Sequence, residues 1–325
     1  MSKIAMPGVS RRVFTIGAGV ALAGGVLSGG QAMAQTFPSR PIKICVPFKP
    51  GGRTDLVARM LAEKIKENDW LPQPIAIVNA DGGAGANAVN MMKRDPADGH
   101  TILHWQHQLL IAIAMELGNF SLDQFKSIGY TGGGSPIWAV HEDSPYQTLD
   151  ELIAYLKDNP RGLVEAVGIG TIPHFVGAML AQSAGFETRY VTANSGSDRL
   201  RLILGGNADI ALFAASEYLS QGENLRPLVY FGTERLAQMP DVPTATELGY
   251  DVTWANPNWW LAPADTPDEH VAAIGAALEK AIADPEIVQY FEENTLEAYW
   301  VNGEDSMADA RQTLEQLKSI AATIG

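Results

Sequence analysis

Apolar and polar positions alternate between two periods along this chain. Short apolar runs rich in β-branched residues recur. At five places such a run is followed by a small-residue loop and then by a helix start. "IKICVPF" (42–48) predicts a strand and "TDLVARMLAEKIKE" (54–67) a helix. Further strands are predicted at "PIAIVN" (74–79), "HTILHW" (100–105), "PIWAVH" (136–141), "LVEAVGI" (163–169), "TRYVTA" (188–193), "ADIALFA" (208–214), "LRPLVYF" (225–231) and near "WWLAPA". A helix is predicted from Thr148, with Asp150 and Glu151 suiting the positive end of its dipole. Another runs from Pro173 to about Ser183, since proline is at home in a first helical turn. "SDRLRLIL" is a helix closed by Gly205-Gly206, and two amphipathic helices fill 267–283 and 304–323. Strand and helix in alternation predict parallel sheets covered by helices.

The first thirty-four residues break this pattern. Lys3, Arg11 and Arg12 precede an apolar, glycine-rich stretch, and Ala32-Met33-Ala34 has the small-x-small form of a cleavage site. This is the plan of a secretory signal peptide, with a twin-arginine signature at Ser10–Thr15. The stretch is too short and glycine-rich for a membrane span. Residues 1–34 are therefore expected to be cleaved, leaving Gln35 first and the protein periplasmic. The chain carries a net charge of −14, or −17 without the three leader cations, which argues against a nucleic-acid surface. The single cysteine, Cys45, excludes an internal disulfide and reads as a small buried strand residue. A hydrophobic fraction of 46% is ordinary for a packed core, and the length suggests two domains.

The candidate chemistry lies in loops between strand ends and helix starts, at 48–55, 79–87, 168–174, 193–198 and 213–217. Free backbone N–H groups and the dipole make a helix start receptive to anions, and glycine admits a ligand close to the backbone. Equally, these glycines are compatible with turns alone. No phosphate-loop motif is present, and "GGAGAN" lacks the third glycine of a dinucleotide fingerprint.

"PIKICVPFKPGGRTDLVARMLAEKI" resembles the opening of the tripartite tricarboxylate transporter solute-binding proteins, the Bug family. "VNADGGAGANAVNMMKRDPADGHTIL", "GIGTIPHFVGAML", "PDVPTATELGY" and "WWLAPADTP" are similar to that family's later signatures, in the family's order. The resemblance implies a periplasmic binding protein fold of the α/β class. Two lobes would close on a cleft like a Venus flytrap, with residues 35–135 plus 255–325 in lobe one and 136–254 in lobe two. It also implies transport rather than catalysis, no cofactor, and a monomer. The expected ligand is a small mono-, di- or aromatic carboxylate, captured for the membrane subunits of a tripartite carrier. The family's pincer of two lobe-one loops maps onto Phe48, Pro50, Gly51, Gly52, Arg53, Thr54 and Asp55, and onto Gly83, Ala84, Gly85 and Asn87. Lobe two contributes Thr171, His174, Ala193, Asn194, Ser195 and Ser197. Asp55 reads better as a helix cap than as an anion contact.

The chain also departs from the family pattern. Arg53 stands where a small residue is common; its guanidinium suits a bidentate carboxylate, and equally a solvated position on the loop. "HWQHQ" (His104–Gln108) replaces small and hydroxyl residues, which adds Trp105, Gln106 and His107 to the candidate contacts. His104 and His107, three apart, resemble metal ligands, but no third ligand is evident. The family's usual lysine is absent at Asn194 or Ser195. Trp105, Trp138, Trp254, Trp259 and Trp260 read as core, with ligand stacking as the alternative. Two other functions stay open: an exported enzyme using Ser195, His174 and Asp198, although no G-x-S-x-G elbow is present, and a binding protein for sulfonates or amino acids.

Overall fold

In the first helix, apolar residues recur at helical spacing. Helix α1 (Arg53–Glu67) buries Val57, Ala58, Leu61 and Ile65 on one face. That face lies against strand β1 (Ile42–Val46), which pairs in parallel with β2 (Ile75–Asn79) and β3 (Thr101–Trp105). Helix α2 (Ala86–Lys93) joins β2 to β3, and α3 (Gln108–Ala114) follows them. This computed structural model describes residues 36–324, so the leader read at 1–34 lies outside the described residues.

Strand β4 (Phe125–Gly133) leads within three residues into β5 (Pro136–His141), and there the chain passes from one sheet to another. The second sheet is built from β5, α4 (Leu149–Asp158), β6 (Val164–Val167), α5 (Ile172–Ala184), β7 (Arg189–Thr192), α6 (Gly196–Leu204), β8 (Ile210–Ala214), α7 (Ala215–Leu219) and β9 (Leu225–Tyr230). Its strand order is β7-β6-β8-β5-β9. Thr148 caps α4 reciprocally with Glu151, as the sequence pattern implied. The chain then returns through 231–258 to β10 (Trp259–Pro263), α8 (Asp268–Ile282), α9 (Pro285–Glu293), β11 (Glu297–Asn302) and α10 (Gly303–Ile324). These complete the first sheet, ordered β11-β4-β10-β3-β1-β2. The outgoing and returning segments run side by side: Asn258 N–H donates to the Gly132 carbonyl at 2.8 Å, and Thr131 N–H to the Asn258 carbonyl at 3.0 Å. The result is the two-lobed α/β fold of periplasmic binding proteins.

Two sequence expectations need correction. The sheets are mixed rather than parallel. β10 runs antiparallel to β3 and β4, and β5 runs antiparallel to β8 and β9. The reason is the double crossing, which brings strands into each sheet from the other lobe, against the direction of the local βαβ units. β4, β11, α3 and α9 also went unpredicted. "FKSIGYTGG" carries three glycines and no clean alternation, so its strand state is set by pairing on both edges.

One buried apolar cluster runs from the first sheet into the second, with a further cluster on each side, and the tryptophans lie within these. Trp105, Trp138, Trp254, Trp259 and Trp260 are all buried. The indole N–H groups of Trp259 and Trp260 donate to Ser127 and Thr131. Trp138 donates to the buried Glu165, whose carboxyl is pushed up to about 7 by burial against the opposing hydrogen bonds of Trp138 and Thr188. Cys45 is buried in β1, and burial raises its thiol to about 11. Among the described residues, no helix is long and apolar enough to cross a membrane.

Candidate functional site

The start of α1 and the two crossing segments enclose a cavity of about 710 Å³ that the second sheet closes from the far side. From the first lobe it is lined by Phe48, Lys49, Pro50, Gly52, Arg53, Thr54, Leu56 and Gln106, together with Tyr290 and Asn294–Leu296 beyond α9. The crossings supply Gly134, Ser135, Trp254 and Asn256. The second lobe supplies Pro136, Ile172, Pro173, Arg199 and the stretch from Leu212 to Glu217.

A polar chain fixes the first wall. Gln106 Nε2 donates to Thr54 Oγ1 at 2.7 Å, Asn256 Nδ2 to Gln106 Oε1 at 3.3 Å, and Arg53 Nη2 to the Asn256 carbonyl at 3.1 Å. The N-cap of α1 is Gly52, which has no side chain to satisfy the free N–H groups behind it. Arg53 therefore stands at the positive end of a 15-residue helix. Among the described residues, the arginine ion pairs are those of Arg40, Arg59, Arg199, Arg201, Arg235 and Arg311; Arg53 forms none. Burial lowers its pKa to about 10, with Tyr299 opposing, so at neutral pH it remains a cation.

Asp55 sits behind this wall. It accepts from the Gly51 N–H at 2.9 Å, from the Arg59 guanidinium and from Asn79 Nδ2. Burial acts to raise its pKa, but these three partners outweigh it and hold the carboxyl at about 2. Gly51 is on the same loop but does not line the cavity.

The second glycine loop lies elsewhere. Gly83, Ala84, Gly85 and Asn87 do not line the cavity. Gly85 has φ +90°, and an added Cβ would fall 1.8 Å from the Trp105 ring, so the loop is pressed onto that indole. Asn87 Nδ2 donates to the Asp81 carbonyl at 2.7 Å.

The "HWQHQ" segment diverges residue by residue. Gln106 faces the cavity, and Trp105 packs under Gly85. His104 is buried and stacks on Trp260 at 3.9 Å, and its pKa falls to about 3 through burial and the nearby Arg53. His107 contacts Tyr130 Oη at 3.1 Å and lines a separate cavity of about 580 Å³. Among the described residues, no group of three or more potential metal ligands comes together.

In the second lobe, Thr171, His174, Ala193, Asn194, Ser195 and Ser197 lie outside the cavity lining. Ser195 caps α6, accepting from Asp198 N–H and donating to its carboxylate. His174 Nδ1 accepts from the Gly170 N–H. Among the described residues, no hydrogen bond joins Ser195 to His174. The loop at 213–217 does line the cavity, Glu217 included, whereas sequence reasoning missed Arg199, Asn256 and Asn294–Leu296. Arg199 sits inside a helix whose amphipathic pattern gives no sign of a cavity, and the others meet the site only through the crossings and the return of the chain.

A family model described as tripartite tricarboxylate transporter family receptor matches residues 57–325. A Cupriavidus necator protein, the UPF0065 protein in the gbd 5′ region, is 30% identical over 98% of this chain and 98% of its own length. A TctC solute-binding protein from Polaromonas, solved without ligand, superposes with a TM-score of 0.79 at 22% identity, covering 89% of this chain and all of that one. MatC from Rhodopseudomonas palustris, solved with bound malate, superposes at 0.68 with 23% identity, covering 88% of this chain and all of that one.

Proposed function

The chain belongs to the tripartite tricarboxylate transporter receptor family, and on that premise we propose that it is a periplasmic solute-binding protein that captures a small carboxylate between its lobes. The cargo then passes to the membrane subunits of a tripartite carrier. The leader at 1–34 directs export by the twin-arginine route. Residues 35–135 with 255–325 form lobe one and 136–254 lobe two. The protein acts without cofactor and without catalysis; Ser195 serves as a helix cap, tied to Asp198, rather than as a nucleophile.

One observation carries this reading: a guanidinium without an anionic partner among the described residues, set at a helix start in the cleft between the two sheets. Such a cation is costly to desolvate unless an anion meets it. A carboxylate would take the Arg53 fork and the N–H groups at the start of α1, with the Thr54–Gln106–Asn256 chain orienting its edge. Lobe closure then follows from contacts that only the bound state completes. The malate bound to MatC supports the same class of ligand.

Calorimetry over a panel of mono-, di- and aromatic carboxylates tests this proposal. Arg53→Met is expected to weaken the best of them at least tenfold, as for a charged hydrogen bond worth about 1.5–3 kcal/mol. A panel in which no carboxylate binds, or an Arg53→Met variant with unchanged affinity, sinks it.

A further inference from the structure

The two walls of the cavity are not equivalent. Arg53 faces the interior without a counter-ion, whereas on the opposite wall a second arginine is offered together with a carboxylate. Arg199, on α6, is about nine-tenths buried, and its guanidinium carbon lies 5.8 Å over the Phe213 ring. Its one ion pair is long: Nη2 to Glu217 Oε2 at 3.4 Å. Its Nε is buried with no hydrogen-bond partner. Both Arg199 and Glu217 line the cavity.

Glu217 is fixed in place. It accepts from the Ala214 N–H at 3.1 Å, and it packs so closely on α6 that an added Cβ at Gly196 would lie 2.3 Å from its Oε1. The carboxylate is thus tied to the backbone at the start of α7, on the cavity wall. Lys49 also lines the cavity, but it is exposed at the mouth, where water screens it. Glu217 is likewise exposed, so with Arg199 it offers the far end of a ligand a pair with no net charge, opposite the single cation Arg53.

Resting on the carboxylate-binding reading above, we propose that this site selects a monoanion whose far end is a neutral group able to donate and accept at once, such as a primary amide. The ligand carboxylate neutralises Arg53. The amide oxygen accepts from the Arg199 guanidinium, and the amide NH₂ donates to Glu217. A second carboxylate at that end would gain Arg199 but would set its other oxygen against Glu217. Like charges at that range repel. Glu217 is thereby the residue that excludes dianions.

Isosteric pairs test this directly: succinamate against succinate, glutaramate against glutarate, and adipamate against adipate, titrated at pH 7.5 by calorimetry into the full mature protein. For at least one chain length the half-amide is expected to bind ten or more times more tightly than the diacid. Glu217→Gln, nearly isosteric, is expected to bring that ratio below threefold by strengthening the diacid. Diacids binding as tightly as their half-amides in the wild-type protein overturn the proposal while leaving carboxylate capture intact, and so does a ratio that Glu217→Gln leaves unchanged. Binding of neither member of any pair, or of any other carboxylate, removes the broader reading and this one with it.

Discussion

Loops 48–55 and 79–87 look alike in sequence and do opposite things in space. Each leaves the end of a parallel strand, passes through glycines and starts a helix. In the first, the backbone turns its free N–H groups and Arg53 toward the cavity, and Asp55 clamps the loop from behind. In the second, Gly85 is spent on close packing against Trp105, and Asn87 ties the loop to its own carbonyl at Asp81. Glycine at a helix start therefore has two physical uses: it lets a ligand reach the backbone, or it lets a neighbouring side chain do so. Which one applies depends on what stands opposite.

Substitutions can break or sharpen this contrast. Gly85→Ala is expected to act most strongly, costing about 3 kcal/mol in a guanidinium melt, because φ +90° and the Trp105 ring both oppose a Cβ. A loss under about 1 kcal/mol would show that the loop does not rest on the indole. The Asp55 clamp comes next. Its folded pKa, about 2, lies below the ordinary 3.8, so its stabilisation is complete above about pH 4 and disappears as pH falls toward 2. Asp55→Asn should therefore be less stable than wild type by roughly 1–2 kcal/mol at pH 6, with the gap closing in urea melts near pH 2. A gap independent of pH would mean that the side chain acts by shape alone. Gly51→Ala should have the smallest effect, about 1 kcal/mol. Its φ of +85° disfavours a side chain, but no atom lies within 4 Å of the added carbon. A larger loss would indicate a crowded loop and weaken the distinction from Gly85.

Much of the first wall was legible in the sequence. Arg53 stands out in the sequence as an unusual cation at a helix start and Gln106 belongs to the unusual "HWQHQ" segment, and both line the cavity. Both signals are local, because a strand, a glycine pair and a helical apolar stripe together fix where the N–H groups point. The same local logic placed α1, α4, α5 and most strands of the βαβ units. It did not distinguish Gln106 from its neighbours. One strand end sends Trp105, Gln106 and His107 to three different surroundings, according to what packs on each face.

What the sequence determined alone is the class of the molecule: alternating α/β elements, family membership through ordered signatures, and a helix start bearing an arginine. These rest on short-range periodicity and turn chemistry, which a chain carries with it. Only the tertiary structure decided the rest. It set the mixed sheets, because strands enter each lobe through the double crossing. It brought Asn256 to Arg53 across 203 positions, and it placed Arg199 and Glu217 on the wall facing them. Contacts over such separations come from packing two lobes around one hinge, and no local pattern encodes them.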